Sequence, residues 1–319
     1  MKMKYFKLIF LLIICNHLQA QVIIEEEIQL YNDSISLPGT LSYPEKDSSM
    51  PLAIFIHGSG NVDRNGNQAG LPIQANYIKT LADSLNKNQI AFYRYDKRTA
   101  NKANMPFIND SITFENLVKD AKICINHFTA DNRFSTITII GHSQGSLTGM
   151  LAVNDSISKL NDSIIRFVSL AGASKTFGET VVSQINKQSK ELGAIAQEHL
   201  KELQETDTIQ EVNFMLQQLF NPVNYNFIKS YNSYDPVLEI KKITVPTLIL
   251  NGDADLQITP EDAQNLYAAN PNSQLVIIPQ MNHVLKTVKN LQENQLSYQS
   301  EEYPLSSELV SVLTKFIKK

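Results

Sequence analysis

The sequence predicts an α/β fold, with a mostly parallel central sheet that is flanked by helices and carries a helical insertion. Short apolar runs rich in β-branched residues alternate with longer segments whose apolar residues recur at helical spacing. Strands that alternate with helices favour a parallel sheet. After residue 174 the strand-like pattern stops for about 60 residues and then returns, which indicates an insertion into the fold.

Short runs rich in apolar residues predict the strands, and the run at 52–56 is apolar throughout, as expected where both faces of a strand are buried. They lie at 52–56, 90–95, 136–140, 164–170, 245–250 and 274–279. Two further strands, at 22–30 and 35–43, open the domain. Pro38 and Gly39 interrupt the second of these and predict a bend there.

The helical spacing of apolar residues predicts the helices that separate these strands. They lie at 74–85, 114–128, 147–153, 260–268 and 305–317. The segments 181–203 and 209–220 combine strong helix formers with the same spacing. We therefore divide the chain into a first core segment at 21–174, a helical insertion at 175–234 and a second core segment at 235–319.

The first 20 residues predict a signal peptide. Lys2 and Lys4 form a basic start, an apolar run follows at 8–14, and the segment ends in the small residue Ala20. The apolar run is too short to span a bilayer comfortably, so we expect a protein exported to the periplasm or the medium without stable membrane insertion. A lipid anchor at Cys15 is the alternative, although the bulky Ile14 precedes it.

Composition excludes several function classes. The formal net charge is −4, and no basic run lies outside the termini, so no nucleic-acid partner is expected. The absence of a C-x-x-C pair or a tight His/Cys cluster argues against a structural zinc site. Once the signal peptide is removed, Cys124 is the single cysteine, and its place in an amphipathic helix predicts a buried structural thiol.

The segment Gly-His-Ser-Gln-Gly at 141–145 carries the strongest functional signal. It follows a predicted strand and precedes a helix-compatible run, which is the context of a nucleophile elbow, a sharp turn that exposes a serine hydroxyl. Gly141 and Gly145 leave no Cβ where the strand and the helix crowd together. Ser143 is therefore the candidate nucleophile, and the backbone N–H of Gln144 can point at a developing oxyanion.

A serine nucleophile needs a base to take its proton and an acid to hold that base in one tautomer. In enzymes with a nucleophile elbow, the catalytic residues follow one another along the chain in the order serine, acid, histidine. His283 alone among the histidines follows both Ser143 and a candidate acid at a strand end. Asp253 and Asp255 compete for the acid, and Asp255, three residues past a glycine, is favoured.

The segment His-Gly-Ser-Gly at 57–60 follows the third strand, where the second oxyanion donor is expected. Its small residues let the backbone N–H of Ser59 approach a substrate, with Gly60 as the next choice. We expect His57 to hold this loop by a side-chain hydrogen bond, and His142 to point away from the nucleophile. The charged segments 63–64 and 95–98 predict ion-paired loops at the rim of the site.

These segments, taken in order, resemble the α/β-hydrolase superfamily. More narrowly, they resemble bacterial esterases grouped with the serine-aminopeptidase-like and dienelactone-hydrolase-like hydrolases. The resemblance rests on 57–60 with 63–66, 95–98, 141–145, 252–255 and 282–283, and it covers the chain from about residue 36 to the end, apart from the insertion. Thr99 stands where relatives often have Gly, and Asn61-Val62 replaces the usual Pro-Gln, so these two loops depart from the pattern.

The resemblance implies a serine hydrolase that acts on carboxylic esters and needs no metal or other cofactor. Ser143 would attack the carbonyl of a small ester substrate, His283 would take and return the proton, and Asp255 would orient His283. The N–H groups of Ser59 and Gln144 would hold the oxyanion, and water would release the acyl-enzyme. The insertion would cover the site as a lid and shape the acyl pocket.

Two other functions stay open. One is a serine peptidase or aminopeptidase that acts on short peptides, whose amine could meet the acidic residues of the insertion. Those residues are Glu191, Glu198, Glu202 and Glu205, and their spacing also fits a solvated helix face. The other is a non-catalytic binding protein on a hydrolase scaffold, against which the complete set of catalytic residues argues.

Overall fold

The computed structural model describes residues 21–46, 48–157 and 165–319. The strands are β1 (Ile23–Asn32), β2 (Ile35–Pro44), β3 (Met50–Ile56), β4 (Asn67–Gln68), β5 (Ile73–Gln74), β6 (Ala91–Tyr95), β7 (Phe134–His142), β8 (Ile165–Leu170), β9 (Thr247–Gly252) and β10 (Gln274–Ile278). The helices are α1 (Tyr77–Lys87), α2 (Phe114–Thr129), α3 (Gln144–Ile157), α4 (Phe177–Gln188), α5 (Lys190–Thr206), α6 (Tyr225–Asn232), α7 (Pro236–Ile240), α8 (Pro260–Ala269), α9 (Leu291–Leu296) and α10 (Ser307–Ile317). Short 3₁₀ helices lie at Lys102–Phe107, Phe214–Leu216 and Pro222–Asn224.

One large sheet organises the molecule, with the strand order β1-β2-β6-β3-β7-β8-β9-β10. The contacts β1–β2 and β2–β6 are antiparallel, and every neighbouring pair from β6 to β10 is parallel. The mostly parallel sheet that the sequence predicts is therefore confirmed. Because parallel strands end at the same edge, the loops after β3, β7, β9 and β10 can meet there.

Helices cover both faces of the sheet, and β3 shows how one strand serves both layers. Leu52, Ile54 and Ile56 point into the core that α2, α3 and α8 share, whereas Ala53 and Phe55 point into the core that contains α1 and α10. Side chains of a strand alternate between its faces, so a strand covered on both sides must be apolar throughout. This explains why apolar and polar residues do not alternate along β3.

Between β8 and β9 the described residues form helices and no strand. Apolar residues of α5, α6 and the intervening 3₁₀ turns build a separate small core, which includes Ala196, Leu203, Phe220 and Ile228. This unit is attached to the main domain through α2. There the ring of Phe114 stacks on Tyr231 of α6 at a centroid distance of 4.1 Å.

The second strand departs from the prediction. Pro38 and Gly39 do not interrupt it, since β2 pairs with β1 without a break from Pro44 to Ile35. Gly39 is needed there for another reason, because a Cβ at this position would lie 2.4 Å from the hydroxyl oxygen of Tyr93. The run that predicts β8 began at residue 164, which lies outside the described residues.

In the described part of the chain, none of the helices has both the length and the apolar character needed to cross a membrane. The predicted signal peptide at 1–20 and the alternative lipid-anchor residue Cys15 lie outside the described residues. Cys124 is fully buried and unpaired, as the sequence predicts, and burial raises the pKa of its thiol well above the usual value.

Candidate active site

Ser143 occupies the turn between β7 and α3. Its φ of 55° lies in the left-handed region, which non-glycine residues adopt rarely and at a cost. The two flanking glycines make this turn possible. A Cβ on Gly141 would lie 2.3 Å from the carbonyl oxygen of Gly145, and a Cβ on Gly145 would lie 2.2 Å from that of Ile56. The segment therefore has the strained, crowded geometry of a nucleophile elbow, and Ser143 stays partly exposed.

His283 and Asp255 meet at the neighbouring strand ends. Nδ1 of His283, in the loop after β10, lies 2.7 Å from Oδ2 of Asp255, in the loop after β9. The carboxylate is fully buried, and its Oδ1 accepts hydrogen bonds from the backbone N–H groups of Gln257 and Ile258 at 2.8 and 3.0 Å. Because Nδ1–H donates to the carboxylate, Nε2 of His283 is left to accept a proton.

Asp253, the alternative acid, has a different partner. Its Oδ1 accepts a hydrogen bond from the backbone N–H of Gln280 at 2.6 Å, which ties the end of β9 to the end of β10. Asp255 therefore contacts His283, whereas Asp253 holds together the two loops that carry them.

Ser143 and His283 line one cavity of about 280 Å³, which we call the candidate pocket. Most of its wall comes from the segment between β3 and α1 and from the C-terminal part of the chain. The wall consists of Gly58, Ser59, Gly60, Val62, Gln68, Ile73, Tyr77, His142, Gln257, Val284 and Tyr298. None of these residues belongs to the helical insertion at 175–234, so any covering role of the insertion stays a prediction.

The two predicted oxyanion donors belong to segments that lie next to Ser143. Gln144 is the first residue of α3, and Ser59 follows β3 and borders the candidate pocket. Gly58 brings the second segment close, since a Cβ on it would lie 3.1 Å from Cβ of Ser143. Both backbone N–H groups are thus carried by segments that adjoin Ser143.

The charged residues after β6 correct the predicted rim loop. Asp96 and Arg64, one from each of the two charged segments, form an ion pair with 2.9 Å between Oδ2 and Nη2. Arg98, however, is buried against Asp120 at 2.7 Å. Lys97 is also buried, and its ammonium donates to the carbonyl oxygen of Gly58 at 2.8 Å and to Oε1 of Gln144 at 2.7 Å. Burial lowers the pKa of Lys97 to about 7.

Two further histidines have structural partners. His57 is buried, and its Nε2 donates to the carbonyl oxygen of Tyr95, which holds the loop after β3 as the sequence predicts. Burial and the nearby positive charge of Lys97 lower the pKa of His57 to about 3, so its ring is neutral. In the insertion, Nε2 of His199 accepts a hydrogen bond from the backbone N–H of Asn213 at 3.0 Å.

His142 lies in the wall of the candidate pocket beside His283, which the sequence did not predict. Its Nε2 donates to the backbone carbonyl oxygen of His283 at 2.9 Å, and its Nδ1 faces the hydroxyl of Tyr77 at 3.5 Å. The ring lines the candidate pocket and lies 4.8 Å from the ring of His283, between centroids. Burial keeps the pKa of His142 well below the usual value.

Side chains also hold the loop of His283 from its other side. The amide of Asn282 donates to Oγ of Ser297 at 2.7 Å and accepts from the backbone N–H of Lys286 at 3.0 Å. Both the loop and its imidazole are therefore restrained before a substrate arrives. Within the described residues, no group of three or more His, Cys, Asp or Glu side chains is arranged to hold a metal ion.

The sequence is similar to known hydrolases. The family described as Serine aminopeptidase, S33 (Hydrolase_4) matches residues 70–287, more than half of the chain. Among curated proteins, esterase EstD from Thermotoga maritima is 25% identical over 257 residues. That match covers 78% of this chain and 58% of EstD, so the chain spans less than two thirds of the length of this relative.

The structure is similar to those of two esterases. Est1E from Butyrivibrio proteoclasticus superposes with a TM-score of 0.55 at 19% identity, over 92% of this chain and 99% of Est1E. The Pyrococcus furiosus esterase Pf2001 gives a TM-score of 0.56 at 15% identity, over 93% of this chain and 91% of Pf2001. At such low identity the likeness concerns the fold alone, and it confirms the predicted α/β-hydrolase fold.

Proposed function

Because the chain belongs to the serine aminopeptidase S33 family of α/β hydrolases, we propose that this hydrolase cleaves carboxylic esters through an acyl-enzyme on Ser143. The observation that carries the proposal is the contact between His283 and Asp255 at the same pocket that exposes Ser143. A strained serine, an imidazole with one free nitrogen and a buried carboxylate together form the machinery of acyl transfer.

In the proposed reaction, Ser143 Oγ attacks the ester carbonyl while Nε2 of His283 takes its proton. Asp255 keeps Nδ1 protonated and stabilises the imidazolium that forms. The backbone N–H groups of Ser59 and Gln144 bind the oxygen that becomes negative. His283 then protonates the departing alcohol. Water, activated by the same imidazole, attacks the acyl group and frees Ser143.

Three of the similar proteins, EstD, Est1E and Pf2001, are named esterases, which supports a preference for esters over amides. The matching family is itself described as a serine aminopeptidase, so the two activities must be compared directly. The acidic residues that could bind a peptide amine do not favour the alternative. Glu191, Glu198 and Glu205 are exposed on α5, and Glu202 accepts a hydrogen bond from the backbone N–H of Gln210. Activity towards nitrophenyl esters should therefore exceed activity towards aminoacyl nitroanilides. The reverse order would replace esterase by peptidase.

Ser143→Ala is the central test. The wild type should hydrolyse p-nitrophenyl acetate and react with a fluorophosphonate probe, whereas Ser143→Ala should do neither. Ser146→Ala is the matched control, because Ser146 lies three residues after Ser143, in α3, and its Oγ is buried against Oγ of Ser169 at 2.7 Å. It should still react with the probe. A probe that does not react with the folded wild type would point to a non-catalytic binding protein instead.

We also propose that the insertion at 175–234 borders the site. Lys187 and Gln184 of α4 donate to the carbonyl oxygens of Leu256 and Gln257 at 3.1 and 3.4 Å, in the loop that carries Asp255. If this helix helps to shape the acyl site, Lys187→Ala should raise KM for long-chain esters more than for acetate. An equal effect on both would argue against a lid.

We further propose export, with cleavage after Ala20. The amino-terminal sequence of the mature protein tests this proposal, and it should begin at Gln21. Incorporation of a palmitate analogue would instead indicate a lipid anchor at Cys15.

A further inference from the structure

The ammonium group of Lys97 joins the two segments that carry the proposed oxyanion donors. It donates to the carbonyl oxygen of Gly58 at 2.8 Å and to the side-chain Oε1 of Gln144 at 2.7 Å. Lys97 is 8% exposed and Gln144 is 6% exposed, so both contacts are shielded from water. Among the described residues no carboxylate forms an ion pair with Lys97. Both of its acceptors are neutral.

The contact with Gly58 determines where the N–H of Ser59 points. The carbonyl of Gly58 and the N–H of Ser59 belong to one planar trans peptide, so they point in opposite directions. An ammonium bound on the carbonyl side therefore turns the N–H towards the other side. That peptide adjoins the nucleophile, because a Cβ on Gly58 would lie 3.1 Å from Cβ of Ser143. The positive charge also polarises the peptide and strengthens its N–H as a donor.

The contact with Gln144 acts on the second donor. Gln144 directly follows Ser143 and begins α3, and its backbone N–H is the other proposed oxyanion donor. Its side chain is held by the same ammonium group. One ammonium group thus contacts both segments, whose backbone donors must converge on a single oxygen atom.

A buried cation with neutral acceptors is costly in the resting protein. The cost is offset when a negative charge develops nearby in the same low-dielectric region, as it does on the carbonyl oxygen of an ester under attack. We infer that Lys97 is a positioning residue for ester hydrolysis, which orients the Gly58–Ser59 peptide and Gln144 and supplies the positive charge behind the oxyanion site. This inference rests on the proposed function.

The surroundings of Lys97 predict a pH dependence. The groups around the small cavity beside it are His57 from the end of β3, Tyr95 from β6, Asp120 from α2 and Thr148 from α3. Asp120 is already paired with Arg98, and burial lowers the pKa of Lys97 to about 7. As pH rises through this value, Lys97 loses its charge, so kcat should fall on the alkaline side.

Lys97→Met and Lys97→Gln test the inference. Methionine has a similar length and no donor, and replacing a buried ion by an apolar group is often tolerated. Lys97→Met should lower kcat for p-nitrophenyl acetate by about 10²- to 10³-fold, the size of effect that loss of an oxyanion donor has, with little change in KM. Lys97→Gln keeps a neutral donor and should fall between Lys97→Met and the wild type. Lys79→Met is the control, because Lys79 is a half-buried residue of α1 that forms an ion pair with Asp83.

Two further readouts separate positioning from general loss of structure. The alkaline limb of the kcat profile should disappear in Lys97→Met, while the acid limb remains. Affinity for a trifluoromethyl ketone, which forms an oxyanion on the serine, should fall by about the same factor as kcat/KM. Thermal unfolding followed by circular dichroism should show that both variants are folded. If Lys97→Met does not fold, the kcat of Lys97→Gln tests the inference instead.

Two results would overturn the inference alone: kcat of a folded Lys97→Met within threefold of the wild type, or an alkaline limb that persists in it. Absence of both turnover and probe reaction in the wild type would instead overturn the proposed function, and the inference with it.

Discussion

The imidazole of His142 donates a hydrogen bond from Nε2 to the backbone carbonyl oxygen of His283, at 2.9 Å. This contact joins the turn of the proposed nucleophile to the loop of the proposed base. The two residues are 141 positions apart in the sequence. Because a carbonyl oxygen can only accept, the contact also fixes the tautomer of His142 with its hydrogen on Nε2.

We expect His142→Leu to lower kcat for ester hydrolysis by about 10- to 100-fold, because small displacements of a catalytic group are costly in rate. His142→Gln keeps a donor near the same carbonyl and should retain more activity than the leucine variant. Steady-state kinetics of both variants check this expectation. Equal activities in the two would mean that the hydrogen bond does not position His283.

Asp255→Asn should reduce kcat by about 10⁴-fold, as the same change does in serine proteases. The geometry gives the reason. Oδ1 of Asp255 accepts two backbone hydrogen bonds, so the amide nitrogen of an asparagine must face His283. Nδ1 would then accept, and Nε2 would carry the hydrogen and could not take a proton from Ser143. Kinetics with p-nitrophenyl acetate measure the loss.

Asp253→Asn is the matched control for that change. An asparagine keeps the oxygen that accepts from the backbone N–H of Gln280, so we expect nearly wild-type turnover. If Asp253→Asn were the more damaging substitution, the acid would have been assigned to the wrong residue.

Buried histidines should make the protein sensitive to acid. Burial lowers the pKa of His57 to about 3 and keeps that of His142 well below its usual value, whereas unfolded histidine titrates near pH 6.5. Below about pH 6.5 the unfolded state binds more protons, so each histidine lowers the free energy of unfolding by up to about 1.4 kcal/mol per pH unit. For His57 this loss continues down to about pH 3. Urea unfolding at several pH values measures how the free energy of unfolding changes with pH. This change per pH unit should be smaller in His57→Gln than in the wild type, and an equal change would contradict the expectation.

Lys286 should destabilise the resting fold. Its side chain is fully buried, and its ammonium has no hydrogen-bond partner among the residues that the structure describes. Burial lowers its pKa, so the unfolded state binds more protons and stability rises with pH as this group loses its charge. Lys286→Met should raise the free energy of unfolding by about 1 to 3 kcal/mol near neutral pH.

Denaturant unfolding tests this change, with Lys289→Met as the control. Lys289 is exposed three positions further on, and its replacement should alter the free energy of unfolding by no more than about 0.5 kcal/mol. A loss of stability in Lys286→Met would show that the ammonium has a favourable environment.

Sequence patterns identified the sheet and the elbow because both depend on local chemistry. Leu52 to Ile56 are apolar because that strand is covered on both faces, and no residue but glycine fits at 141 and 145. In the sequence, only the spacing from the end of a strand distinguished Asp255 from Asp253 as the candidate acid.

The environments of Lys97 and His142 could not be read in the same way. A charged residue after a strand is usually solvated, and whether its side chain turns inward depends on loop dihedral angles that no local pattern specifies. Asp96 forms an ion pair with Arg64, whereas the side chain of Lys97 reaches the carbonyl oxygen of Gly58, 39 positions earlier in the chain. The one available signal was the position of Lys97 at the carboxyl end of a parallel strand, where functional groups collect.

The wall of the candidate pocket has an evolutionary consequence. It is built largely by the short segment between β3 and α1, which contains the small β4–β5 hairpin, with Gly60 held against Gln68. Insertions or deletions in this hairpin would change the size of the candidate pocket without altering a strand of the main sheet. Substrate range could therefore drift through changes in one surface hairpin, while the machinery that breaks the bond stays as it is.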